Sequence, residues 1–110
     1  MNEAAALNAF AALSHKTRLA MLRLLVQAGC AGLSAGEIAT RLNATPSRAS
    51  FHLSALQNAG LITVERQART LIYRPAFDGL AALLAFLMED CCAGAIPLAE
   101  RRAKKAPSKG

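Results

Sequence analysis

Two cysteines stand side by side, Cys91-Cys92, at the end of an apolar stretch, and a third, Cys30, lies far upstream between Gly29 and Gly32. Neighbouring thiols at a helix terminus contribute little to packing, whereas a pair of thiolates is a good trap for a soft, thiophilic ion. The compartment decides what such thiols do. The apolar start, Ala4–Leu13, has no basic residue before it and the cluster His15-Lys16-Thr17-Arg18 after it, the reverse of a signal peptide. The longest apolar run, Leu80–Met88, is too short to span a bilayer, so no membrane association is expected. A cytoplasmic location follows, where thiols stay reduced, and the three cysteines read as reactive thiols, ligands or core rather than a disulfide framework. With no Cys-x-x-Cys motif and no Gly-rich cofactor loop, an enzyme is not expected.

The elements that must position the thiols come from 110 residues, enough for one domain with a modest core. Alanine supplies 25 of them, with five aromatics and no Trp. Alanine favours helix but fills little volume, so the helices are expected to complete their core against a second copy, as a homodimer. The net charge is +6, and its distribution is uneven. Residues 98–110 carry five basic residues and one acidic, +4, leaving only +2 for the rest. A basic, disordered tail over 98–110 is therefore expected behind a folded domain over 1–97.

Along the chain, Leu7, Phe10 and Ala11 recur at helical spacing from Glu3 to about Leu13. Ser14 is expected to cap a second helix whose buried stripe is Leu19, Leu22, Leu25 and Val26. Gly29 and Gly32 close it. Ser34 and Glu37 have capping-box spacing for a third helix, with Ile38 and Leu42 inward and Asn43 at its end. Thr45-Pro46 opens a fourth helix with Ala49, Leu53 and Leu56 inward, stopped by Ala59-Gly60. Two β-rich runs, Leu61–Glu65 and Thr70–Tyr73, form a hairpin with Arg66 and Arg69 at a basic tip. A last helix carries the stripe Leu80, Leu84, Leu87 and Cys91 and fades near Gly94 and Pro97. The order is that of a winged helix-turn-helix: mainly α with a small β-hairpin.

A helix that enters the major groove needs a short-chained, polar outer face. Turning Ala49, Leu53 and Leu56 inward places Ser47, Phe51, Ser54 and Asn58 outward, at about 100° per residue, with Arg48 and Ser50 on the shoulders. Serine hydroxyls and the Arg48 guanidinium suit bases or phosphates of double-stranded operator DNA. Phe51 suits a thymine methyl or a sugar, or else packing against a neighbouring helix. His52, on the flank of the buried stripe, reads as half-buried and structural, with a phosphate bond as its functional alternative. Arg66 and Arg69 would track the minor groove or flanking backbone.

Ala12-Leu13-Ser14-His15-Lys16-Thr17-Arg18-Leu19 resembles the opening of the ArsR/SmtB repressors, and Ser50-Phe51-His52-Leu53-Ser54-Ala55-Leu56, followed by Ala59-Gly60-Leu61-Ile62, resembles their recognition helix and wing. The resemblance covers about residues 7–92. It implies a homodimeric repressor, paired through its first and last helices, that leaves its operator when an inducer binds. By the match, Ser47, Arg48, Ser50 and His52 fall on the DNA-contacting stretch and Arg66 and Arg69 on the wing. The founding members' Cys-x-Cys arsenic site has no counterpart in the third helix here, and the last helix offers Asp78, Glu89 and Asp90 but no histidine for the zinc site of others. The remaining candidate, Cys91-Cys92, resembles arsenic sensors with a vicinal pair near the end of the last helix.

Two sulfurs suffice for a monomethylated arsenic(III), whose third position is already carbon, whereas arsenite can use three. No cofactor is required on this reading, and the inducer is a trivalent arsenical, methylarsenite in preference to arsenite unless Cys30 supplies a third ligand. The alternative is a redox or reactive-sulfur-sensing repressor that joins Cys30 to Cys91 or Cys92. A thiol enzyme and an inducer-free DNA-binding module are the other classes weighed.

Overall fold

A computed structural model of the chain describes residues 1–89. The elements run α1 (Glu3–Leu13), α2 (Lys16–Ala28), a 3-10 turn (Gly29–Ala31), β1 (Leu33–Ser34), α3 (Ala35–Leu42), α4 (Pro46–Asn58), β2 (Ile62–Gln67), β3 (Thr70–Pro75) and α5 (Phe77–Met88). This is a winged helix-turn-helix with a small antiparallel sheet ordered β1-β3-β2. The basic tail over 98–110 and the last residues of the expected 1–97 domain lie outside the described residues.

Local chemistry starts and stops most of the helices as expected. The Ser34 hydroxyl accepts from Glu37 N while the Glu37 carboxylate accepts from Ser34 N, a complete capping box. Hydrogen bonding to the Glu37 carboxylate from the Ser34 backbone N–H, and then from the Ser34 side chain, holds that carboxyl below its ordinary value. Asn43 ends α3 in the left-handed region at φ 55°. Thr45 caps α4 by accepting from Arg48 N, and Pro46 takes the first turn, where its missing N–H costs nothing. The second helix departs from expectation. Ser14 closes α1, and His15 caps α2 through Nδ1, which accepts from Thr17 N.

The core gathers Met21 and Leu25 of α2, Ile38 of α3, Leu53 and Leu56 of α4, and Leu61 beyond it, each essentially solvent-free. On α1 the interior goes to small residues instead. Alanines 6, 9 and 12 are buried on α1, while Leu7 and Phe10 face outward. On α2 the stripe is Met21, Leu22 and Leu25, with Leu19 and Val26 exposed. On α5 only Leu83 is fully buried; Leu84 and Leu87 of the expected stripe point out. Helical periodicity groups these residues correctly but does not say which group one chain can cover.

The hairpin is longer and its turn tighter than expected. Residues 62–67 pair in register with 75–70, so Arg66 sits within β2, opposite Leu71, and only Ala68 and Arg69 form the turn. Ala68 takes φ 57° there, a position that glycine or asparagine would fill more easily. The two-residue β1, too short to show in the sequence pattern, adds Leu33 opposite Tyr73. Its neighbour Gly32 has φ +71°, and a Cβ would stand 2.6 Å from Ile72 Cγ2, so only glycine lets β1 lie this close to β3.

Candidate nucleic-acid interface

The buried stripe of α4 fixes what its other side presents. With Ala49, Leu53 and Leu56 packed on α2 and α3, Ser47, Arg48, Ser50, Phe51, Ser54 and Asn58 are all exposed. The surface is short-chained and polar apart from Phe51, as a helix entering a major groove requires. Phe51 is 64% exposed, so no helix among the described residues buries its ring. Its ring is steadied from one side only: the edge of His52 lies 5.3 Å away and the Arg18 guanidinium carbon 5.9 Å from its centroid. Arg66 and Arg69 are exposed on the wing, which β2 and β3 extend beyond the end of α4.

His52 is the exception among the expected DNA-facing residues. It is 5% exposed, more deeply set than a half-buried flank position. Its Nδ1 accepts a hydrogen bond from Arg18 Nε at 3.1 Å, and its ring centroid lies 4.5 Å from that of His15. Burial, then the like charges of His15, Arg18 and Arg48, lowers its pKa from the ordinary 6.5. Arg18 also donates from Nη1 to the Ala12 carbonyl at 3.4 Å, so this one side chain ties α1, α2 and α4 together. Sequence reasoning noted Arg18 only within a motif. Its role depends on a partner 34 positions away, which no local pattern marks.

The thiols divide. Cys30 is exposed in the 3-10 turn, and its carbonyl accepts from Arg74 Nε at 2.7 Å. The same guanidinium pairs with Glu65 Oε1 at 2.6 Å, linking the Cys30 turn to the wing strands. Cys91 and Cys92, with Asp90, lie outside the described residues. Among the described residues no three His, Cys, Asp or Glu side chains converge as a metal cluster would require, although Asp78 and Glu89 both lie on or beside α5.

Comparison with known proteins agrees with this geometry. Residues 13–65 match a family described as a helix-turn-helix domain. The HTH-type transcriptional regulator YgaV of Escherichia coli is 34% identical over 81 residues, 74% of this chain and 80% of YgaV. An ArsR-like transcriptional regulator from Rhodococcus sp. RHA1 superposes with a TM-score of 0.72 at 31% identity, covering 93% of both chains. The homodimeric winged helix-turn-helix DNA-binding domain Mb0332 of Mycobacterium bovis superposes with a TM-score of 0.65 at 31% identity, over 76% of this chain and 75% of that one. With the fold, the outward face of α4 and these relatives in agreement, the chain belongs to the ArsR family of winged helix-turn-helix transcriptional regulators.

Proposed function

We propose that this regulator is a repressor that holds operator DNA as a homodimer and releases it when a trivalent arsenical bridges Cys91 and Cys92. The observation that carries the reading is where the uncovered apolar side chains lie. Leu7 and Phe10 on α1, and Leu84 and Leu87 on α5, are 61%, 41%, 54% and 53% exposed, on two helices that pack against each other. An apolar face of that kind suits a second copy of the chain, in line with the homodimeric Mb0332. The tandem thiols come two residues after Glu89, the last described residue and the cap of α5, so a ligand they capture acts on the helix that the partner would cover.

Methylarsenite, CH3As(OH)2, reacts with two thiols to form two As–S bonds and release two water molecules, which completes its coordination. A path from α5 to the DNA face lies in the fold. Ala76 N donates to the Leu61 carbonyl at 2.9 Å, and Gly79 passes so close to the Gly60 carbonyl that any side chain there would collide. The start of α5 is thus fastened to the end of α4 and the root of the wing. A ligand that displaces α5 therefore alters the spacing of the two reading helices across the dimer.

The test is fluorescence anisotropy on a labelled operator duplex selected by the protein from a random-sequence pool. Methylarsenite should release the reduced wild-type protein at one equivalent per subunit and leave Cys91→Ser/Cys92→Ser bound. Normal release of that variant would place the sensor elsewhere. The exposed thiol of Cys30 defines the competing reading, a disulfide or polysulfide bridge to Cys91 or Cys92. The Cys30 turn packs on α2 and β3. A cross-link from Cys30 to the pair, found by mass spectrometry after persulfide treatment, would favour redox sensing.

A further inference from the structure

We propose that the groove between α2 and α5 is a binding site for an organic monocarboxylate with an apolar body, its carboxylate held by Arg23. The groove has a volume of about 500 Å3. Leu22 and Leu83 are buried at its base, Leu80 is half-buried, and the exposed Val26 and Leu84 complete its apolar lining. Among the described residues that line it, only Arg23 and Gln27 are polar. They stand four positions apart on α2 and so share one side of that helix. A largely apolar lining with a few placed polar groups is the usual make-up of a small-molecule site.

Charge selects the ligand. No carboxylate lines the groove, and the one ion pair among the described residues joins Arg74 to Glu65, so no described acid neutralises Arg23. The planar fork of guanidinium N–H donors matches the two oxygens of a carboxylate, and the Gln27 amide adds a donor one turn further on. An apolar amine would meet repulsion at the same place. The site does not involve the tandem thiols and goes beyond the arsenical reading. Its position gives it a lever all the same. Leu83 is the one fully buried side chain of α5, and the start of that helix is fastened to the end of α4 through Ala76 and Gly79. A ligand lying against Leu83 braces α5 on α2, and so acts on the helix whose start is joined to the DNA-reading one.

The probe is 4-butylbenzoate, with its uncharged amide as control, titrated at about pH 7.5, where the carboxylate is ionised, into the reduced full-length protein. Methyl NMR and calorimetry follow binding. The acid should shift the Val26, Leu83 and Leu84 methyl signals and bind at least about tenfold tighter than the amide, as a charge-assisted hydrogen bond would give. Arg23→Gln, an exposed change, should remove that preference and leave amide binding within about twofold. Val26→Trp, which fills the groove, should weaken both ligands at least about tenfold. Equal affinity for acid and amide would overturn the carboxylate site, and acid binding that survives Val26→Trp would mark an anion held by basic residues elsewhere. Unmoved groove methyls with weaker self-association of Val26→Trp in sedimentation would give the groove to a second copy of the chain. NOEs from Val26 to Ile96 in the free protein would give it to the chain's own downstream segment. None of these results bears on the arsenical reading, because the probe carries no arsenic and the readout does not use the tandem thiols. Should Val26→Trp fail to fold, the Arg23→Gln comparison decides alone.

Discussion

Arg18 Nε donates to His52 Nδ1 across 3.1 Å, joining the first turn of α2 to the middle of the DNA-reading helix. The bond orients the imidazole, and the same guanidinium reaches the Ala12 carbonyl and lies over Phe51. Arg18→Met keeps the aliphatic stem and removes the donor. It should cost about 1–3 kcal/mol of folding stability, the penalty for a buried polar group left without its partner, read from the urea midpoint.

Stability should also depend on pH through His52. Burial and then its cationic neighbours lower its pKa in the folded chain from the ordinary 6.5, so folding favours the neutral ring. The unfolded ring takes up its proton near 6.5, before the folded one does. This contribution is therefore complete above about 6.5 and is lost as pH falls through that value toward the folded pKa. Chemical denaturation at pH 7.5 and pH 5.5 should show the loss in wild type, and His52→Gln should reduce it.

The basic residues at the interface should differ from the core in what they affect. Arg48→Gln, Arg66→Ala and Arg69→Ala are exposed changes and should leave the thermal midpoint nearly unmoved. Where the residue meets a phosphate, each should weaken binding across all sequences and reduce the slope of log affinity against log salt by about one. A loss confined to one operator position would instead mark a base contact.

Leu84→Asp places a carboxylate in the apolar face shared by α1 and α5. Leu84 is 54% exposed in the single chain, so the fold should survive the change. The dimer should weaken at least about tenfold, equivalent to roughly 1.4 kcal/mol, in sedimentation velocity experiments. An unchanged sedimentation profile would mean that copies pair through another surface.

What the sequence disclosed follows from how local each signal is. Ser34 with Glu37, Thr45 with Pro46, and Asn43 act within one turn of chain, and each behaves as its type and spacing require. The DNA-facing side of α4 was legible because Ala49, Leu53 and Leu56 leave only one way to turn the helix. On α1 the stripe was not, because alanines let helices approach closely and so take the interior positions that the larger Leu7 and Phe10 do not occupy; on α2 and α5 it was legible only in part, since Leu22 and Leu25 are buried while Leu19, Val26, Leu84 and Leu87 are not. His15 displaced Ser14 as the α2 cap because Ser14 closes α1, a competition between neighbouring ends that a cap preference alone does not settle. The Arg18–His52 bond spans 34 positions and appears only once α2 and α4 are packed.

The central claim, that capture of an arsenical and grip on DNA oppose each other, is tested most directly by measuring both affinities around the thermodynamic cycle. Methylarsenite binding to the reduced protein is titrated free and on saturating operator, and operator affinity is measured with and without methylarsenite. The account predicts that DNA weakens methylarsenite binding by the same factor that methylarsenite weakens DNA binding, about 5- to 150-fold. Equal methylarsenite affinity for free and DNA-bound protein would contradict it.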